Sequence, residues 1–439
     1  EMQRSLVGSE MCIRDRYTRL LILTIMFLTS YFDDREVMKQ ESSPPSLTEK
    51  APTYRTKENA IIEVELFIKN NRNNTRNSSF LNYSINNEIY FYRDTITNQT
   101  YPSFYIANAE GGNGYAIVSA NLYTTPIIAY SESGNLSLSD TLQYQELSFF
   151  FDLVQNYISN NKKYEIEFKE ENDDDNSLDT SQTRGRRRPI YIKKPGEWEE
   201  TERVQPLISV KWGQRSPYNN AAPLIEGQRA LTGCVATAIA QVMAYHEKPS
   251  GYNGVSYNWS EMKQFPTTPA VAHLFRSIGD LVKMDWGTDT SGAKRKNIPQ
   301  CFEKMGYRKP NNPQIYSQWD VITSIKAKCP VIICGNSVRK KILGIKYYQN
   351  GHAWVSDGYF HRERNVDVYR KGSDKVHHSY TEKEDYLHLN WGWNGNSNGY
   401  YLAGIFNGGE GPTFPSTRAA GKGNYPYNVE IIPYINIIK

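Results

Sequence analysis

One segment constrains this chain more than any other: Gly233-Cys234-Val235-Ala236-Thr237-Ala238-Ile239-Ala240-Gln241-Val242-Met243-Ala244-Tyr245-His246. Val235, Ile239, Val242 and Met243 recur at i, i+4, i+7 and i+8, the apolar stripe of a buried helix. Four alanines keep that helix slim enough for close packing on its neighbours. Leu231-Thr232-Gly233 before it supplies a cap and a bend, so Cys234 falls at the helix N-terminus. There the macrodipole and the unpaired N–H groups favour an anion, which turns a thiol toward thiolate. Spacing alone still favours an inert buried cysteine over a reactive one.

A thiolate nucleophile needs a base within hydrogen-bond reach, about 3 Å. His246 lies twelve residues along the same helix. At a rise of about 1.5 Å per residue it stands roughly 18 Å away, which rules it out. The better candidate is His352 in Asn350-Gly351-His352-Ala353-Trp354-Val355-Ser356-Asp357-Gly358, read as a short strand punctuated by Gly351 and Gly358. In His388-Leu389-Asn390-Trp391-Gly392-Trp393-Asn394-Gly395, Asn390 is placed to orient an imidazole and Trp391 to shield it from water. An aromatic corner in a β-rich core reads the same residues without chemistry. In Lys211-Trp212-Gly213-Gln214, the Gln214 amide offers one oxyanion donor beside the Cys234 N–H. No His-Glu-x-x-His and no Cys-x-x-Cys pattern occurs, so neither a zinc hydrolase nor a zinc ribbon is expected, and no cofactor is called for.

Composition sets the surroundings. The 51 basic and 47 acidic residues nearly balance, which argues against a nucleic-acid partner. Aromatic content of 13% supports a large core. Of the five cysteines, Cys12 lies in the leader, and the spacing leaves a Cys329–Cys334 disulfide open. Residues 1–16 resemble a translated sequencing adaptor and are set aside. The apolar run Leu20–Thr29, after Arg19, reads as the core of a secretory signal. Its ten residues are too few for a membrane span, which takes about 20. Tyr31 stands where a lipoprotein signal would carry its cysteine, so export is expected but lipid anchoring is not supported.

The chain divides, on this reading, into a leader (1–31), a linker (32–57), a small α+β domain (58–160), a flexible linker (161–203) and a second domain (204–439). Helical spacing of Ile61, Val64 and Ile68 opens the small domain. Strands at 104–107 and 115–118 flank a turn at Asn113-Gly114, with a third strand at 127–130. Leu147, Phe150, Phe151, Val154, Tyr157 and Ile158 close it with an amphipathic helix. The 161–203 linker is acidic, then basic through Arg184, Arg186, Arg187 and Arg188, a composition that is exposed to proteases.

Four motifs, W-G-Q-x-x-P-Y-N at 212–219, T-G-C-V-A-T-A-x-A-Q-x-M-x-Y-H at 232–246, G-H-A-x-V-x-D-G at 351–358 and H-x-N-W-G-W-x-G at 388–395, together resemble the streptopain family of cysteine peptidases, relatives of papain in fold. The resemblance covers most of 204–435 and, more loosely, the segment around Gly114–Ser119, which is similar to that family's propeptide. It implies an α+β, two-lobed papain-like peptidase domain behind a propeptide that acts as an intramolecular inhibitor. It implies Cys234 as nucleophile, His352 as proton acceptor, Gln214 in the oxyanion hole, and Trp391 and Asn390 beside the histidine. Protein and peptide substrates follow, with an extracytoplasmic address and no stable membrane span. The stretch Gly404–Gly423 resembles the family's mobile loop near the active site. Two departures stand out: Asn394 where glycine is more typical, and a charged strand pair or insertion at 359–386 that would alter the cleft rim. Two rivals are an acyltransferase of the transglutaminase type, with Asp357 as third member, and a non-enzymatic adhesin. The second would need a lost nucleophile or base, and both residues are present.

Overall fold

The computed structural model describes residues 54–71, 81–93, 98–122, 124–142, 147–159, 191–342, 345–406 and 427–437. The leader, the first linker up to residue 53, and residues 160–190 and 407–426 lie outside the described residues, and with them the signal and most of the expected mobile loop.

The helix read from the Cys234 segment forms as expected, over Cys234–His246. It is buried from Cys234 through Ala244. Gly233 ahead of it has φ 80°, and a Cβ there would sit 2.8 Å from the Ser291 carbonyl oxygen. Only glycine meets both demands, the left-handed backbone and the close approach. At the other end Glu247 turns left-handed (φ 54°) and its N–H returns to the Met243 carbonyl.

Among the described residues thirteen strands join one sheet. Its centre is the strand Ile345–Arg370, paired with Val331–Ile342 along its first half and with Val376–Asn390 from Val355 onward. The expected short strand around His352 is thus part of a 26-residue strand. Gly351 and Gly358 do not end it, because both are held in a ladder with a neighbouring strand or its bulge. Of the two readings of the charged stretch 359–386, the strand pair forms, in continuous antiparallel register from Tyr359–Leu387 to Val368–His378, with a bulge before Tyr369–Val376.

Two further strands, Tyr191–Pro195 and Glu199–Val204, add to the free edge of Ile345–Arg370. This corrects the expectation of a flexible linker through residue 203. The alternating charges of Glu199-Glu200-Thr201-Glu202-Arg203 read as a tether, but the ladder uses backbone groups, which composition does not report.

The N-terminal segment supplies the helix Lys57–Asn71, a strand set of Ile89–Arg93, Thr100–Ala109, Tyr115–Ser119 and Ile127–Ser131, and a helix over 147–159. The expected hairpin is present, but its turn is a five-residue loop. Positive φ falls at Gly111, Gly112 and Gly114, while Asn113 has φ −88°. This segment continues the peptidase sheet: Ile127–Ser131 pairs with Gly399–Leu402, Tyr130 opposite Tyr400 and Ala129 opposite Tyr401.

Alternation along the central strands sends side chains to two clusters. Ile332, Cys334, Ala353 and Val355 face the Cys234 helix and the helices Pro269–Leu281 and Ile298–Lys304. Ile333 and Trp354 face the opposite side, where they meet residues of the N-terminal segment. No helix among the described residues is long and apolar enough to cross a membrane.

Candidate active site

Cys234 is buried, with 6% of its surface exposed, at the first turn of its helix. Three bonds fasten the Trp212-Gly213-Gln214 segment to that helix and the loop before it, one from the loop and two from the helix. The Thr232 N–H donates to the Gln214 carbonyl (3.1 Å), the Thr237 hydroxyl to the Gly213 carbonyl (3.5 Å), and Gln241 Nε2 to the Trp212 carbonyl (3.4 Å). The half-buried Gln214 is therefore held against the loop that leads into Cys234.

Gln241 also donates to Asn390 Oδ1 at 2.8 Å. Asn390, buried, donates from Nδ2 to the Val210 carbonyl (3.0 Å) and accepts from the Gly392 N–H (3.2 Å). Its amide thus bridges the Cys234 helix, the 210–214 segment and the Trp391 loop. These bonds engage Asn390 with Gln241, whereas the sequence placed it beside the imidazole. Gln241 was not singled out there. Its signal was available: it is the one amide in an otherwise apolar helix interior, and a buried amide needs partners.

The second loop is built on glycine and a tolerant asparagine. Gly392 has φ 76°, and a Cβ there would meet Thr237 Cγ2 at 2.7 Å. Asn394 adopts φ 56° and fills the space that a Gly213 Cβ would need, at 2.5 Å. Asparagine enters the left-handed region more readily than most residues, which explains how it stands in a glycine position.

His352 lies opposite Gly335 on the neighbouring strand and is 8% exposed. Its ring faces Phe149 from the 147–159 helix, centroids 6.1 Å apart. Gly335 makes room for the same phenylalanine: a Cβ there would lie 2.5 Å from the Phe149 ring. Phe149 was missed in the sequence because it sits off the apolar stripe of its helix. The signal was three consecutive phenylalanines, since one helix face does not take all three. Phe151 packs on Phe104 within its own domain (5.2 Å), while Phe150 meets Tyr401 (4.9 Å) and Trp391 (5.9 Å). Trp391 in turn lies 5.0 Å from Trp354 and stacks on Trp393 at 5.1 Å.

Asp357 is fully buried and committed elsewhere. Its carboxylate pairs with His388 Nδ1 at 2.6 Å and accepts the Ile208 N–H at 2.8 Å. The third role that an acyltransferase reading gives it finds no support in these bonds. His246, at the far end of the helix, packs edge-on against Tyr307 at 5.6 Å. Cys234, Cys301, Cys329 and Cys334 are all free thiols, so no Cys329–Cys334 bridge is formed. Burial, with the neighbouring Cys234 thiol adding to it, pushes Cys334 up to about 12, and burial does the same for Cys301. Both are held as neutral thiols.

Comparison with known proteins adds the following. The model of the peptidase C10 family matches residues 212–401, and the model of the Spi protease inhibitor matches residues 52–158. Streptopain from Streptococcus pyogenes serotype M28 is 25% identical over 382 residues, covering 74% of this chain and 78% of streptopain. By these matches the chain is a cysteine-type peptidase that resembles the C10 family over residues 212–401. The chain is also 26% identical over 258 residues to the thiol protease/hemagglutinin PrtT of Porphyromonas gingivalis, covering 51% of this chain and 26% of PrtT. Among solved structures, a prointerpain A fragment from Prevotella intermedia is 20% identical with a TM-score of 0.49, covering 75% of this chain and 94% of the fragment. Its fold is α+β and papain-like, with an inhibitor-like domain at the N-terminal side.

Proposed function

We propose that this peptidase is an exported endopeptidase kept latent by its inhibitor-like domain, with Cys234 as nucleophile and His352 as base. The observation that carries this reading is the position of Phe149. The inhibitor-like domain sets this ring against His352 and over Gly335, across the strand pair that borders the cleft. A domain that silences a peptidase does so at the reacting groups, and His352 is one of those the sequence singled out.

Once Phe149 withdraws, His352 takes the Cys234 thiol proton and the sulfur attacks a peptide carbonyl carbon. The oxyanion accepts hydrogen bonds from the Cys234 N–H and the Gln214 side-chain amide. The imidazolium returns its proton to the leaving amine as the C–N bond breaks, which leaves a thioester. His352 then deprotonates water, hydroxide adds to the thioester carbonyl, and the thiolate departs. Asn390, through Gln241 and Val210, acts as a positioning residue that keeps the helix and the 210–214 segment in register. Trp391, inside an aromatic cluster, keeps water from the back of the cleft. Protein and peptide substrates fit this chemistry, and the apolar run Leu20–Thr29 supports export.

Maturation cuts between the two domains. A protease must draw its substrate segment out of any ladder, and 191–195 and 199–204 are paired with the central strand. The cut therefore falls before Tyr191, and the released peptidase keeps both edge strands.

The test is Cys234→Ser. The expected result is loss of casein hydrolysis to background and accumulation of uncut precursor on a gel. Retained hydrolysis in that variant overturns the reading.

A further inference from the structure

Arg362 lies ten residues beyond His352 on the same strand, roughly 30 Å away at about 3.3 Å per residue. It is 2% exposed. Its Nε donates to Glu384 Oε2 at 2.7 Å, and Nη2 lies 2.5 Å from the same oxygen. Three aromatic rings surround the guanidinium: Phe67 at 4.4 Å, Trp198 at 4.6 Å and Tyr386 at 5.5 Å. Trp198 also carries Arg364 at 4.5 Å. Phe67 belongs to the helix Lys57–Asn71 of the inhibitor-like domain, and Trp198 to the segment entering the peptidase.

A buried ion pair is stable only while its surroundings keep it fully partnered. Here part of the cover comes from the peptidase itself and part from the other domain. Tyr386, which shares Glu384 Oε2 at 3.2 Å, also donates to the Ile127 carbonyl of the inhibitor-like domain at 2.8 Å. The outer hairpin thus holds a cradle for one aromatic side chain, far from the reacting groups, and that cradle is filled by Phe67.

We propose that the outer hairpin, residues 359–386 with Trp198, is a docking site for the helix Lys57–Asn71 that is separate from the catalytic cleft, so that the inhibitor-like domain stays bound and inhibitory after the chain is cut. This rests on the peptidase reading above. The cut alone does not release activity; release is a second, concentration-dependent step. Because Tyr191–Val204 remains paired to the central strand, Trp198 stays with the peptidase and the cradle keeps its peptidase-side wall.

The experiment uses the full chain, cut between the domains at the Arg184–Arg188 run by a trypsin-type protease. Size-exclusion chromatography is done on the Cys234→Ser background, where the fragments are not degraded. At about 1 µM, tight association keeps the two fragments in one peak. On the Cys234 chain, hydrolysis of a small peptide is followed on dilution. The cut wild type is silent at high concentration and gains activity as it dissociates. Phe67→Ala, on the inhibitor side, and Trp198→Ala, on the peptidase side, raise the half-activation concentration about tenfold, the scale of one desolvated cation–π contact. Trp198→Ala covers the case in which Phe67→Ala unfolds its domain. After complete digestion of the inhibitor-like domain, Trp198→Ala hydrolyses the peptide at the wild-type rate. If the cut wild type separates and is fully active at about 1 µM, the proposal is overturned. It is equally overturned if Trp198→Ala activates at the wild-type concentration. An inactive wild-type enzyme after full digestion would instead sink the peptidase reading.

Discussion

On one face of the sheet, the cluster around the Cys234 helix draws only on residues from Ile208 onward. On the other face, Ile333, Trp354, Trp391 and Tyr401 share a cluster with Phe67, Phe104, Tyr115, Phe149 and Phe150 of the inhibitor-like domain. The first core is closed by the peptidase itself; the second is completed by the inhibitor-like domain. The polar seam follows the same division. Tyr115 and Tyr401 share a hydroxyl contact at 2.8 Å, and Ser131 Oγ donates to the Asn398 carbonyl at 2.7 Å, both across the domain junction. The difference teaches where latency is stored. The helical lobe needs nothing from the N-terminal domain, so it keeps Cys234 and Gln214 in place in either form. The sheet lobe, which carries His352 and Trp391, is packed around the inhibitor-like domain.

The sharpest way to break this comparison is a pair of truncations. Phe150→Ala removes a fully buried ring from the shared core and is expected to cost the latent chain about 3–5 kcal/mol. The released peptidase, which lacks that residue, is untouched. Ile239→Ala in the self-contained core is expected to cost about 2–5 kcal/mol in both forms. Urea unfolding of latent and released protein measures both, and an Ile239→Ala loss confined to the latent chain, or no loss from Phe150→Ala in the latent chain, would refute the division.

A smaller effect tests the strand junction. Gly399 would place a Cβ 2.6 Å from the Tyr130 carbonyl oxygen, a contact that exists only while the domains are joined. Gly399→Ala is expected to destabilise the latent chain by about 1–3 kcal/mol, the usual cost of overpacking. The same substitution leaves peptide hydrolysis by the released enzyme unchanged. Thermal melts of the latent chain alongside kinetics of the released enzyme check both halves.

The smallest effect belongs to the helical lobe. Burial lowers the His246 pKa below its ordinary value, because the charged imidazolium loses its hydration. Over the range between the two values the unfolded chain holds more protons than the folded one, so stability rises with pH there. The contribution is complete above the unfolded value near 6.5 and is lost as pH falls through the folded one. His246→Asn is expected to flatten part of the fall in melting temperature between pH 7 and 5, equally in latent and released protein.

The Cys234 helix was legible in the sequence because its apolar period, its alanines and Gly233 all act within a few residues of one another. The same local geometry removed His246 as a base, since a helix of fixed rise carries it away from Cys234. The reach of the central strand was under-read. Gly351 and Gly358 look like stops, but the neighbouring strands hold the backbone extended past both. Glu199–Val204 looked like tether because its side chains are polar, while its ladder is made by peptide groups common to every sequence.

The sequence by itself determined the slim helix, its cysteine at the N-terminus, the strand that bears His352, and the motifs at Gln214 and Asn390-Trp391. Each depends on residues close together in the chain. Only the tertiary structure decided what Phe149 and Phe67 touch, which partner Asn390 takes, and that Tyr191–Val204 belongs to the sheet. Those contacts join residues dozens to hundreds of positions apart, and their energy is decided by what burial brings together. No local pattern encodes which of three adjacent phenylalanines will face His352. The sheet decides it, by leaving Gly335 bare opposite His352.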